Sequence, residues 1–457
     1  MTIDRRRVLA LSAAVPAAAA AGSLFATPGY ARPSIGNLGL DATHLGLRPG
    51  SADDQSRALQ RALEQAAGAG VPLVLPPGVY RAGNLQMPSG THLIGLRRAA
   101  RVLLSDGAAL LSSRASERVT LDGVVLDGAS RPLPNGGALL KLNSVVNLRI
   151  LDCDIRASGG TGIALEQVEG EVRGCTISAA AEAGLHSLNA RGLTIADNTV
   201  RGCGNNGILV WRSEVGDDGT LVTRNRIEHT GARSGGSGQN GNAINVFRAG
   251  NVIVSGNRIN GAAFSAVRGN AASNLQVLGN NCISCGEVAL YAEFGFEGAI
   301  LANNVIDGAA IGIAVTNFNH GGRLAVVQGN LIRNLLPKRP AGTDPADGAG
   351  IGIGVEADTA VTGNVIEGAP TAGISVGWGR HLRDVSVTGN IIRSAGMGIA
   401  VSVSTGAGAV VIADNLIADA KNGAIVGMEL KKAVTGDMAR DGAGRHAQLA
   451  ISGNRVR

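Results

Sequence analysis

Aromatic side chains are scarce in this chain: 2 Trp, 3 Tyr and 6 Phe among 457 residues, against 68 Gly. Any core must therefore be narrow enough for Ile, Val, Leu and Ala to fill it. No block of Lys or Arg is present, which argues against nucleic acid as a partner. The apolar run of residues 10–21 is too short to span a membrane, and no other stretch is long and apolar enough. Cysteine is sparse, 5 in all, and badly placed for zinc: Cys282 and Cys285 form one Cys-x-x-Cys with no second pair and no His at ligand spacing. These two either pack as small buried side chains or form a disulfide. Asp does not cluster as a calcium site requires, and no cofactor or metal is expected. The body of the chain also lacks a helical stripe.

What it has instead is a repeat. Every twenty-odd residues from about Val119, one short phrase recurs: an alternating apolar run, two small or polar residues, Asn, any residue, then Ile or Val. Copies include LTIADNTV (193–200), VIVSGNRI (252–259) and VVIADNLI (410–417). The Asn marks the register at Asn198, Asn225, Asn257, Asn281, Asn304, Asn330, Asn364, Asn390, Asn415 and Asn454, with Cys153 and Cys175 in its place earlier. Cys203 falls in a turn. A second phrase follows each copy: Gly or Ala, Ile or Leu, a variable residue, then Val or Ala. Both phrases alternate with period two, the mark of strands with one buried face. Two short strands per repeat cannot bury that face alone, but stacked parallel turns can. A recurring Asn can hydrogen-bond its equivalent ~4.8 Å away in the next turn. The expected fold is all-β, a right-handed parallel β-helix of about a dozen turns.

Two further segments differ from the repeats. Residues 53–67 carry an apolar stripe of Ala58, Leu59, Ala62, Leu63 and Ala66, with Ser51 and Asp54 placed for a capping-box variant. This helix is the right size to cover the first turn, whose open edges would otherwise aggregate; the alternative is a lone surface helix. At the start, Arg5, Arg6 and Arg7 precede a mildly apolar Ala-rich run, as in a twin-arginine leader, the alternative being a disordered basic tail. The division is therefore a leader over 1–31, the capping helix with the first turns over 32–118, and repeats over 119–457. Loss of the leader removes three Arg and one Asp and lowers the net charge from +6 to +4. That modest bias allows an acidic polysaccharide partner without demanding one. The expected location is periplasmic or secreted.

The repeat phrasing resembles that of pectate lyases, polygalacturonases and mannuronan epimerases, and the 51–80 segment resembles the entry segment of pectate-lyase-superfamily proteins. With the leader, the chain is similar to a family of twin-arginine-translocated β-helix repeat proteins. The resemblance implies the fold and, on one outer face, a substrate groove. It implies no chemistry by itself. Asn-Thr-Asp, Gly-His-Gly and Arg-Ile-Lys of polygalacturonases and Asp-Pro-His-Asp of the epimerases are all missing.

In the second phrase the third residue and the one two beyond should point outward. One column then reads His186, Asn245, Arg268 and Tyr291; the other includes Glu166, Trp211, Phe247, Asn270, Glu293, Thr316 and Glu356. Arg212 and Trp378 lie just past the same edge. Two insertions, 228–242 and 336–350, fall at one corner, where they would flank this band. It reads either as a sugar-binding groove, with Trp211, Arg212, Asn245, Phe247, Asn270, Tyr291, Glu356 and Trp378 as substrate contacts, or as aromatics packed under loops. Arg268 and Glu293, on adjacent turns, form either a structural ion bridge or an active pair in which Glu293 moves a proton; His186 is an alternative base. The expectation is an exported protein that binds, and cleaves or modifies, an acidic polysaccharide as a lyase, glycoside hydrolase or epimerase. The competing expectation is a non-catalytic glycan-binding or cell-envelope scaffold.

Overall fold

A computed structural model describes residues 38–134, 137–316, 323–344, 347–444 and 446–457. The expected leader, with Arg5 and Arg6, lies outside the described residues. One turn illustrates the rest. Strand Gly170–Arg173 is followed by Gly174 at φ 66°, then strand Thr176–Ser178, Ala179 at φ 54°, strand Ala183–Leu188 and Asn189 at φ 55°. Each corner thus passes through one left-handed residue, which explains the Gly, Asn and Asp that precede the register Asn in most copies. A turn has three strands, not the two expected from the phrases, because the Asn phrase bends in its middle and supplies two of them.

Equivalent strands stack into three parallel ladders. In the first, Thr194 pairs with Leu221 and Leu221 with Ile253; in the second, Thr199 pairs with Arg226; in the third, Ile208 pairs with Ile244. The result is a solenoid of about 14 turns. Among the described residues one antiparallel pair occurs, at the C-terminal end, where Lys432–Asp437 folds back on Ile425–Glu429 and blocks that strand's free edge. The Lys431-Lys432 stretch belongs to this hairpin.

The Asn column is continuous. Asn330 Oδ1 accepts from the Asn304 backbone N–H at 2.9 Å and from Asn304 Nδ2 at 3.0 Å, while Asn330 Nδ2 donates to Leu301 O and to Asn364 Oδ1. At one repeat the register residue is Asn280 rather than Asn281: Asn257 Nδ2 donates to Asn280 Oδ1 at 2.9 Å. Gly279 takes the left-handed corner there, as Gly256 does one turn earlier, and the residue directly after it turns inward. Cys175 stands in the same column, its N–H donating to Asn198 Oδ1. Cys282 and Cys285 are free thiols, and burial pushes the Cys285 thiol up to about 12.

The small residue that opens the second phrase also has a cause. A Cβ on Gly373 would lie 2.4 Å from Ile392 Cγ2 inside the solenoid, and one on Gly398 would lie 2.5 Å from Ile417 Cγ2. The Ile of the Asn phrase occupies the space that a larger residue would need.

Helix Ser56–Gly68 buries Leu59, Ala62, Leu63 and Ala66 in the same core that fills the solenoid, so it is not a lone surface helix. No capping box forms. Asp54 instead accepts the Ser56 N–H at 3.0 Å. No helix among the described residues is long and apolar enough to cross a membrane.

Candidate functional site

The third ladder carries the candidate residues in the expected registers. His186 pairs with Leu209, then Asn245, Arg268, Tyr291 and Ala314 follow in one outward column. Leu188, Trp211, Phe247, Asn270, Glu293 and Thr316 form the second.

The centre of that band is not open to solvent as expected. Arg268 is 7% exposed, Glu293 1% and Asn245 3%. Both insertions fold across the ladder instead of edging a groove. From the first, Ser237 O accepts Arg268 Nη1 at 2.7 Å and Gly238 O accepts Asn245 Nδ2 at 3.2 Å. From the second, Arg339 Nη1 donates to Glu287 Oε1 at 2.7 Å. Outward-pointing side chains are buried here because the backbone of one insertion and a cation of the other lie on top of them.

Of the two readings for Arg268 and Glu293, the geometry is that of the ion bridge. Arg268 Nε and Nη2 donate to Glu293 Oε1 and Oε2 at 2.7 and 2.8 Å, and Asn270 Nδ2 adds a bond to Oε1 at 2.9 Å. The guanidinium also stacks 4.8 Å from the Tyr291 ring centre. Arg268, Arg339, Glu287 and Glu293 balance in charge, and the more exposed Asp347 adds a carboxylate 3.4 Å from Arg339 Nη1. Burial raises the Glu287 carboxyl above its usual range, against the pull of Arg268 and Arg339, and pushes Tyr291 up to about 12. Glu287 and Arg339 escaped the sequence reading: Glu287 lies outside both columns, and Arg339 reaches it across 52 residues of chain.

Beside this cluster runs a partly open row. His186 and Trp211 meet edge to face at 5.1 Å, Trp211 and Phe247 at 5.8 Å, and Arg248 caps Phe247 at 4.7 Å. Trp211 Nε1 donates to Asn245 Oδ1 at 3.0 Å, so buried Asn245 orients the indole. Arg248 sits within strand Asn242–Gly250 at a left-handed φ of 58° and donates to Ser213 O at 2.7 Å. Arg212 donates to Ala190 O at 3.5 Å, and its Nε is buried without a partner. Arg248 was absent from the sequence candidates; a basic residue directly after Phe247 was its one signal.

Two candidates lie elsewhere. Trp378, 38% exposed, opens the short turn Gly379–His381 and sits six turns, ~29 Å, from Trp211, so it is not part of the row. Glu356 lies two turns beyond Glu293 and does not join it. Among the described residues, no three His, Cys, Asp or Glu are grouped to hold a metal.

His186 has a consequence for pH. Its Nε2 is buried without a partner, and burial lowers its pKa below 6.5 despite the charge of Glu166. A depressed histidine favours folding above the unfolded pKa, and that stability is lost as pH falls through the folded value. His186→Phe is expected to remove part of the drop in melting temperature between pH 7.5 and pH 5. An unchanged drop would show that His186 does not contribute.

No curated protein matches the chain in sequence. Among solved structures, the N-terminal fragment of gene product 12 of bacteriophage phi29 superposes with a TM-score of 0.56 at 15% identity, covering 85% of this chain and 68% of that one. The pre-mature gene product 12 matches at 0.56 and 14%, over 85% of this chain and 55% of that one. PfbA, a surface adhesin of Streptococcus pneumoniae, matches at 0.48 and 14%, over 85% and 91%. At these identities the likeness is one of fold. The family described as right handed beta helix region matches residues 111–238 and 215–392, which together span more than half of the sequence. The chain belongs to the right-handed β-helix family.

Proposed function

We propose that this chain is an exported protein that binds an acidic polysaccharide along the outer face of its third ladder, at the row from His186 to Arg248. The observation that carries this reading is the half-buried pair Trp211 and Phe247, aligned on successive turns with Arg248 stacked on one end. Aromatic faces suit the apolar faces of sugar rings, and Arg recognises a carboxylate with directed donors. Binding is favoured over bond cleavage by the state of Glu293. Both its oxygens are committed to Arg268, and water has almost no access to it. A general base must be within reach of the proton that it takes.

Calorimetric titration with oligogalacturonides tests the reading. Trp211→Ala and Arg248→Ala are each expected to weaken binding by about 1.4–2.7 kcal/mol, roughly 10- to 100-fold. Trp378→Ala should bind as the parent does. Equal affinity for all four proteins would remove the row from the site.

A further inference from the structure

The outer face of the second ladder changes character along the solenoid. Its leading outward column begins polar, with Thr176, Thr199, Arg226, Arg258 and Asn281 in register. From Val305 it turns aliphatic, through Leu331, Val365, Ile391 and Leu416. These last four are each 37–38% exposed. Two residues further along each strand, a second column reads Asp307, Arg333, Glu367 and Arg393, alternating in sign. Asp307 and Arg333 bond to each other at 2.8 Å. Glu367 and Arg393 stand on adjacent strands, both exposed, and neither has an ion-pair partner among the described residues.

We propose that this face joins a second copy of the chain, the two solenoids running antiparallel about a two-fold axis between Val365 and Ile391. A two-fold contact must be self-complementary, each residue meeting one that meets it in return. Reversing the column about that point sets Val365 against the partner's Ile391 and Leu331 against the partner's Leu416. The same operation sets Glu367 against the partner's Arg393, and Arg393 against the partner's Glu367. Both unpaired charges gain opposite neighbours, while Arg333 of the intact Asp307–Arg333 pair faces the partner's Ala418 and Asp307 faces the partner's Arg457. A two-fold axis parallel to the solenoids reverses the strand direction, setting Glu367 against the partner's Val365 when centred between the columns and against the partner's Glu367 when centred on the charged one. One axis position therefore satisfies the aliphatic column and the charges together.

The patch is four strands wide, ~14 Å between its outer strands at the spacing of paired strands. It falls short of the ~800 Å² per partner of a standard interface, so the dimer is weak, with a dissociation constant of about 10–100 μM. It lies on a different ladder from the proposed glycan row, and either idea can fail alone.

Sedimentation equilibrium over about 1–200 μM, which brackets that constant, reads it. The parent chain is expected to shift from one chain mass toward two. Glu367→Arg alone and Arg393→Glu alone each set like charges across the axis twice and should associate at least 10-fold more weakly. An equimolar mixture of these two variants should recover association, because each supplies the charge that the other lacks at both contacts. Recovery in the mixture cannot come from pairing within one chain. A parent that stays monomeric throughout, single variants that associate like the parent, or a mixture that stays dissociated would overturn the proposal.

Discussion

Arg268→Ala is expected to destabilise the chain by about 3–5 kcal/mol, the cost of leaving one charge of a buried pair without its partner. Glu293 would keep only the Asn270 amide, and Ser237 O would lose its donor. Water cannot replace them, because Glu293 is 1% exposed. The loss should be local at first. In a solenoid each turn contacts mainly its neighbours, so amide exchange should rise earliest in the turns that hold residues 242–316. Arg268→Met with Glu293→Leu removes both charges and should cost far less than either single change, since matched apolar replacements of a buried pair are often neutral. Urea denaturation of Arg268→Ala, the double variant and its two single components measures this. A loss under about 0.5 kcal/mol for Arg268→Ala, typical of solvated surface positions, would mean that the insertions do not cover the pair in solution.

The second large effect concerns the Asn column. Asn330→Ala removes four hydrogen bonds and leaves the buried Asn304 N–H without its acceptor. At about 1–3 kcal/mol for a buried group left unpaired, the expected loss is about 1–3 kcal/mol. Asn454→Ala makes the comparison. It also deprives a backbone N–H, that of Asn415, but Asn454 is only half-buried and solvent can reach the gap. Its cost should be well under half as large. Equal costs at the two positions would show that burial is not what makes the column strong.

Fold and site were legible to different depths. The register Asn could be read because its side chain bonds to its own equivalent one turn away, so each turn needs the same residue. That logic fails only at the doubled Asn280-Asn281, where sequence alone offers two residues for one slot. The third strand was hidden because a left-handed corner such as Asp197 interrupts a phrase that still reads as one alternating run. The outward columns were read correctly, since period two fixes which face a strand residue takes. Whether that face is wet was not legible. It depends on how a Gly-rich and a Pro-rich insertion fold back, and no periodicity governs them. The Arg339–Glu287 contact and the Ser237 carbonyl over Arg268 exist only in three dimensions.

Fluorescence tests the glycan row most directly. The chain contains 2 Trp, so Trp378→Phe leaves Trp211 as the single indole reporter. Titration of that variant with oligogalacturonides should give a saturable change in emission that weakens as salt rises, because the proposed contact pairs Arg248 with sugar carboxylates. Neutral oligosaccharides of equal length should produce a smaller change. Emission that stays flat through the uronate titration, while the same ligand binds by calorimetry, would contradict the account by placing the glycan away from Trp211.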